Sequence, residues 1–365
     1  MPIYMDRHEI PATITAEDIA KMHHADLKIE HKFNCRGLTY WCDEERKTAF
    51  CLVEAPNAQA VHDMHDHAHG DVPHTIIEVE SNIVESFLGR ISDPVKAKKT
   101  KLNIINEPAF RILMVTELKR MSLENSGSKQ FNDTIYGCSK SIIEIIKAFN
   151  GSIVKQRNNY FLTSFNSVTD AVSCSLEIKK VLQIEQNSEI ELNIGLSAGI
   201  PVTDKKGIFE DTIKVAEYLS DFVKGSISIT SEIKELYESE NRNVSLNEEI
   251  NTLSPSDEDF LKSLMTFIEE NWKQSELKTS DVFKHLGYSK SKLYREMVAM
   301  SGKSINTFIR EYRLNKALDL IDKQTGNISE IAFDTGFSSP AYFSKSFLET
   351  YGVLPSVYTK QAWYS

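Results

Sequence analysis

The sequence predicts an α+β chain of three domains, two of mixed sheet and helix followed by an all-α one. Three observations predict it. Apolar runs in the order β-α-β-β-α-β occupy residues 1–93, which is the ferredoxin-like layout. A second alternation of short β-rich runs and amphipathic stretches fills residues 108–238. From 255 to 361 the apolar spacing is helical, and a short helix, a glycine and a second helix occur twice. A length of 365 residues suits two or three domains.

In the first domain, residues 3–7 read as a strand and Thr15 caps a helix reaching about Phe33. Residues 37–42 and 48–54 form a hairpin across a charged turn. Asn57 starts a second helix that ends at Gly70, and 75–79 is a last strand, continued at 83–88. Nine of the ten histidines fall in the first 74 residues. On the second helix His62, His65 and His69 share one face. His65 and His69, four apart, can chelate one ion, and His23 and Asp26 pair in the same way on the first helix. Imidazole with carboxylate suits nickel, copper or zinc. A lone histidine pair is more often a solvated surface feature, but this density favours metal binding.

The middle domain starts with an apolar strand at 110–116. A helix follows at 131–149, then a hairpin of 152–156 and 160–165, a helix at 170–183 and a strand at 192–198. A helix at 212–222 and a strand at 226–230 complete it. The basic run at 96–101 and the polar stretch at 238–257 read as linkers.

In the last domain Ser280 is placed to cap a short helix ending near Leu286, and Gly287 to stop it in a left-handed conformation. Ser289 caps the next helix, whose buried face carries Leu293 and Met297 and whose outer face carries Ser291, Tyr294 and Arg295. A long amphipathic helix spans 304–322. The pattern then repeats, with Ser329 as cap, Gly336 as breaker, Pro340 in the first turn of the second helix and Phe343 and Phe347 buried. Gly352 and Pro355 close it. Two such units are a device for laying helices in the major groove of double-stranded DNA.

Charge agrees with this division. The chain carries a net −10, but residues 1–95 hold 8 basic and 17 acidic side chains, whereas 254–365 hold 14 of each. Residues 284–316 contain eight Lys or Arg against two Glu, the surface that phosphates need. Five cysteines at 35, 42, 51, 138 and 174 lack zinc-type spacing, and their odd number suggests reduced thiols in a cytoplasmic protein. No stretch approaches the ~20 apolar residues of a membrane span.

Residues 257–360 resemble the DNA-binding domain of the AraC/XylS family, above all in Ile328-Ser-Glu-Ile-Ala-Phe-Asp-Thr-Gly-Phe-Ser-Ser-Pro-Ala-Tyr-Phe-Ser-Lys-Ser-Phe and Tyr-Gly-Val-Leu-Pro-Ser at 351–356. The resemblance implies that Ser291, Tyr294 and Arg295 face bases from the first recognition helix. Pro340, Ala341 and Lys345 take the matching places on the second. Pro340 and Ala341 offer no side-chain hydrogen bond, so that helix mainly holds phosphates.

Met5-Asp-Arg-His8, His23-His-Ala-Asp-Leu27, Phe50-Cys-Leu-Val-Glu-Ala-Pro56 and His65-Asp-His-Ala-His-Gly70 resemble a small bacterial domain family. One branch of it is a dimeric, ferredoxin-like nickel-binding protein. By position, that resemblance implies the polar set Asp6, His8, His23, Asp26, Cys51, Glu54, His65 and His69. His62, His67 and His74 stand as peripheral, and mid-strand Cys51 is as easily a buried thiol as a ligand.

Residues 160–178 and 194–202 are similar to class III nucleotide cyclases, which makes the middle domain a cyclase-like α+β unit. The metal-holding aspartates of those enzymes are replaced by Glu117 and by Asn158-Asn159-Tyr160. Lys214 and Tyr218 stand where Asn and Arg stabilise the transition state. The domain therefore reads as a scaffold without activity, and family members' pairing implies a homodimer. The expectation is a sequence-specific regulator that is not an enzyme. Its first domain binds a divalent metal, nickel foremost. The alternatives are a nucleotide cyclase and a metal buffer carrying a DNA-binding module.

Overall fold

A computed structural model describes residues 1–364 except 95–101, 121, 125–128, 158, 185–189, 224–226 and 243–245. The basic run at 96–101 and Asn158 thus lie outside the described residues. The chain is mixed α+β, with two sheet domains and a helical C-terminal region.

The first domain runs β1 (Ile3–Glu9), α1 (Ala16–Ile29), β2 (Arg36–Asp43), β3 (Thr48–Glu54), α2 (Ala58–His69), β4 (Thr75–Val79) and α3 (Ser81–Leu88). Its sheet has the order β2-β3-β1-β4 with antiparallel neighbours. Thr15 caps α1 and completes a capping box with Asp18. A short 3₁₀ turn, Glu30–Phe33, follows α1. Residues 83–88, expected to prolong the last strand, are helical instead. Val84, Phe87 and Leu88 recur at three- and four-residue spacing and are buried on one side.

The middle domain comprises β5 (Arg111–Arg120), α4 (Lys129–Ala148), β6 (Ser152–Arg157), β7 (Tyr160–Phe165), α5 (Val168–Ile184), β8 (Ile190–Gly199), α6 (Glu210–Phe222), β9 (Ile227–Ile229), α7 (Ser231–Glu240) and β10 (Asn251–Thr252). Its sheet order is β10-β9-β8-β5-β7-β6, so four of its strands repeat the arrangement of the first sheet. Helices α4 and α5 share a core with one face. The stretch expected as a linker gives the sheet a strand, because Ile250 and Leu253 are apolar and become buried.

Both sheets turn their remaining faces to one common core. Met5, Trp41, Phe50 and Leu52 come from the first sheet and Leu113, Val115 and Leu162 from the second. Val84 and Phe87 of α3 and Ala216 of α6 join them.

The helical region comprises α8 (Pro255–Asn271), α9 (Thr279–His285), α10 (Lys290–Ser301), α11 (Ile305–Asp322), α12 (Ile328–Asp334), α13 (Pro340–Tyr351) and α14 (Pro355–Tyr364). Pro355 therefore opens a further helix instead of closing the unit. Helix α11 is the spine. Ile305, Phe308 and Ile309 enter a core with Leu293 and Met297, and Leu314, Ala317 and Ile321 enter another with Phe343 and Phe347. Gly336 has φ +78°, and a Cβ there would lie 2.6 Å from the Trp272 carbonyl oxygen, so only glycine fits.

Both helix-turn-helix units are tied to the middle domain. Val215, Tyr218, Leu219 and Phe222 of α6 pack with Phe260 and Leu264 of α8 in the core of the first. Leu123, just after β5, is buried in the core of the second, and its N–H donates to the Tyr351 carbonyl at 2.9 Å.

Candidate metal centre and nucleic-acid interface

Alternation along β1 points Tyr4, Asp6 and His8 toward α1 and α2, away from Met5. Beside them on β3 lies Cys51, whose backbone N–H donates to Asp6 Oδ1 at 2.9 Å. Helix α2 supplies His65 and α1 supplies Asp26. His65 is held from both sides: its Nε2–H donates to Asp6 Oδ2 at 3.0 Å, and its Nδ1 lies 3.2 Å from Asp26 Oδ1 and 3.3 Å from His69 Nε2. Asp6, His8, Cys51, His65 and Asp26 are buried, and His69 is nearly so.

Two groups of potential ligand atoms result. Asp6, His8, Cys51 and His65 form one; Asp26, His65 and His69 form the other. In each, the atoms lie within 4.8 Å of one another. Several of these atoms lack an aligned hydrogen bond. His8 Nε2 is 3.4 Å from Asp6 Oδ1 and its Nδ1 is 3.2 Å from Asp71 Oδ2, close enough for ion pairs. Yet among the described residues both nitrogens, and Asp26 Oδ1, are buried without hydrogen-bond geometry. Buried polar atoms left in this way fit a metal better than a closed hydrogen-bond network. The mixed nitrogen, oxygen and sulfur set suits late first-row divalent ions.

Without metal the charges balance through protons. Burial alone would lower the His65 pKa, but the Asp6 and Asp26 carboxylates outweigh it and raise it to about 10. His8 likewise rises to about 9 against burial, through Asp6 and Asp71. Burial favours a protonated Asp6, yet His65 and His8 hold its carboxyl far below the usual range. Burial, reinforced by Asp6, pushes the Cys51 thiol well up.

Six of the eight residues singled out in the sequence thus come together. Glu54 stands apart, bonded to Arg36 at 2.6 Å and to the N-terminal amine at 3.4 Å. His23 is buried but turned to the Tyr40 ring, with centroids 4.9 Å apart, and burial lowers its pKa. His62 is partly exposed beside Asp63, His67 approaches the Asp63 carbonyl, and His74 accepts from the Glu9 N–H. Sequence reasoning missed Asp71. Its one signal was its place directly after the left-handed Gly70 that ends α2.

In the middle domain the residues that the cyclase resemblance singled out have partners of their own. Lys119 Nζ sits 3.6 Å from Glu117 and 2.8 Å from Asp221, placing an ammonium between two carboxylates. Burial and then Asp221 push Glu117 up to about 7. The Asn159 side chain donates to the Leu118 carbonyl, Lys214 pairs with Glu210, and Tyr218 is buried against α8.

On the helical region Ser291, Tyr294 and Arg295 lie exposed on α10, with Tyr294 60% accessible. Ser289 caps α10 as expected. On α13, Ala341 and Lys345 are exposed and Pro340 partly so. Two caps differ from expectation. Helix α9 begins before Ser280, with the Asp281 carboxylate accepting from Lys278 N–H, and α12 is capped by Asn327, not Ser329. Asn327 and Glu330 bond each other's backbone reciprocally, which a cap two residues later cannot do. Two of the cations already have partners within the region: Arg313 donates to the Trp272 and Gln274 carbonyls, and Lys303 pairs with Glu311.

Residues 4–79 match the family described as nickel responsive protein SCO4226-like, and 282–361 match a helix-turn-helix domain family. The chain begins with an SCO4226-like domain and ends with an AraC-type helix-turn-helix domain. It is 32% identical over 87 residues to the Msm operon regulatory protein of Streptococcus mutans, which is 24% of this chain and 31% of that one. It is 35% identical over 107 residues to histidine kinase P4 of Formosa agariphila, 29% of this chain and 8% of that one. The chain therefore spans less than a tenth to about a third of these relatives' length. The crystal structure of SCO4226 from Streptomyces coelicolor matches at 35% identity, covering 21% of this chain and 94% of that one, with a TM-score of 0.20. Among the described residues no helix is long and apolar enough to cross a membrane.

Proposed function

We propose that this chain is a cytoplasmic, homodimeric transcription regulator that binds promoter DNA through its helical region and a divalent metal ion, nickel foremost, through its first domain. The observation that carries the DNA reading is the pair of helix-turn-helix units built on α11, each with an exposed second helix. Arg295, with Ser291 and Tyr294, reads bases from α10, and Lys345 with the exposed start of α13 holds phosphate. The metal reading rests on the buried donor atoms around His65, and the description of the matching family agrees with it. The middle domain is a scaffold and dimer support, not an enzyme: the Lys119 ammonium already lies between Glu117 and Asp221, where a cyclase would need a metal.

Helix α6 gives the metal domain a route to the DNA. Its Ala216 joins the core shared by the two sheets, and its Val215, Tyr218, Leu219 and Phe222 join the core of the first helix-turn-helix. Regulation requires that metal change the affinity for DNA; binding without such coupling would make the first domain a buffer.

Calorimetric titration of metal-stripped chain with Ni²⁺, then Zn²⁺ and Cu²⁺, tests the metal reading. Tight binding that a His65→Ala/His69→Ala variant loses supports it, and binding that the variant keeps removes the site. For DNA, Arg295→Ala should weaken binding to a selected operator by about 1–3 kcal/mol and relax specificity. Lys345→Ala should weaken all sequences alike and lower the salt dependence. An unchanged Arg295→Ala would displace the reading helix from α10.

A further inference from the structure

Between the two ligand groups stands a single ring. His65 Nε2 faces the set supplied by the strands, namely Asp6 and His8 of β1 and Cys51 of β3. Its Nδ1 faces the set supplied by the helices, Asp26 of α1 and His69 of α2. The two sets share no other residue. An imidazole has its two nitrogens on different edges, so one ion cannot take both. Each side also has unaligned buried atoms of its own: the His8 nitrogens on one, Asp26 Oδ1 on the other.

We propose that the first domain holds two divalent cations, one on each side of His65, with the ring as a bridging imidazolate. The proposal rests on the metal-binding reading above and extends it. Charge supports the pair. Two carboxylates, the Cys51 thiolate and an imidazolate sum to four negative charges, which two divalent ions match in a site too buried to leave charge uncompensated. The two positions differ in kind. The strand side offers four protein ligands, the number of a closed structural site. The helix side offers three, and His69 reaches the surface, so a position stays open to water or an outside ligand. The open ion is thus the exchangeable one, and the closed ion fixes β1 and β3 to α2.

Native mass spectrometry of the full chain, metal-stripped and dialysed against Ni²⁺ or Zn²⁺, counts the ions. The expected result is two per chain, falling to one in His69→Ala and to one in Cys51→Ser. Loading with Co²⁺ separates the two positions: a thiolate-to-cobalt absorption band should survive in His69→Ala and vanish in Cys51→Ser. His69 is the most accessible of these ligands, so that variant should fold, and circular dichroism checks it. One ion in the unaltered chain overturns the two-ion site while leaving metal binding intact. No ion overturns both readings. Two ions retained in His65→Ala overturn the bridge, since they would then sit on other residues.

Discussion

The two sheet domains set the same four-strand order to opposite uses. On β1 the side chains facing the covering helices are Tyr4, Asp6 and His8. On the corresponding central strand β5 they are Ile112, Met114, Thr116 and Leu118. The first interior is a charged cluster in which His65 links two carboxylates. The second is largely apolar, and two of its polar atoms, the Thr116 and Thr163 hydroxyls, have no partner among the described residues. Backbone topology therefore says nothing about where chemistry lies. The identity of two or three inward-facing residues on the central strand decides it. Charge in the middle domain sits on the other face, where Glu117, Lys119 and Asp221 brace β5 against α6.

The largest expected effect comes from breaking the charged interior. Asp6→Ala leaves His8 and His65 buried with too little negative charge, and should cost the metal-free chain roughly 3–5 kcal/mol in urea unfolding. A loss below about 1 kcal/mol would mean that the imidazoles shed their protons freely and that charge does not hold this core. The same site sets a pH dependence. The folded values of His65 and His8, about 10 and about 9, lie above the ordinary 6.5, so the folded chain keeps protons that the unfolded chain releases. Their stabilisation is complete below about 6.5 and is lost as pH rises through 9 to 10. Melting temperatures of metal-free protein should fall across that window, and Asp6→Asn should flatten the fall.

A second contrast lies on the face of the middle sheet that turns toward the common core. Gly195 of β8 lets α6 lie directly on the sheet: a Cβ there would stand 2.1 Å from the Ala216 carbonyl oxygen and 2.8 Å from Leu219 Cβ. Gly195→Ala must push α6 outward and should cost about 1–3 kcal/mol. Because α6 also supports α8, the loss should be accompanied by faster proteolysis between the middle domain and the helical region. Unchanged stability and proteolysis would mean that α6 is not the rigid link between the sheets and the DNA-binding helices.

How much of this was legible follows from the range of each interaction. Both β-α-β-β-α-β orders and both helix-turn-helix units show in the sequence because helix and strand periods are local. So do the Gly287 and Gly336 breaks. Residues 83–88 misled because Ile83, Val84, Phe87 and Leu88 are few enough to fit either period, and burial against the middle sheet decides for the helix. Sequence spacing brought His65 and His69 together because they are four apart on one helix. It could not join Asp6 to His65, which are 59 residues apart, nor exclude Glu54, whose neighbours Arg36 and the N-terminus arrive only through strand register. Asp71 was invisible because a residue just past a helix end has no period to place it.

The smallest effect sharpens the comparison from the apolar side. Thr163 is fully buried on β7, opposite Met114, and its hydroxyl finds no hydrogen-bond partner among the described residues. Valine has nearly the same shape, so Thr163→Val removes an unpaired buried hydroxyl without opening a cavity. It should stabilise the chain by about 1 kcal/mol, read as a higher urea midpoint at unchanged m-value. The corresponding deletion of a polar group in the first domain goes the opposite way, because there each buried charge has a counter-charge within reach. A destabilised Thr163→Val would show that the middle interior also spends its polar atoms on something, a water or a small ligand. The division between a chemical domain and a packing domain would then fail at that residue.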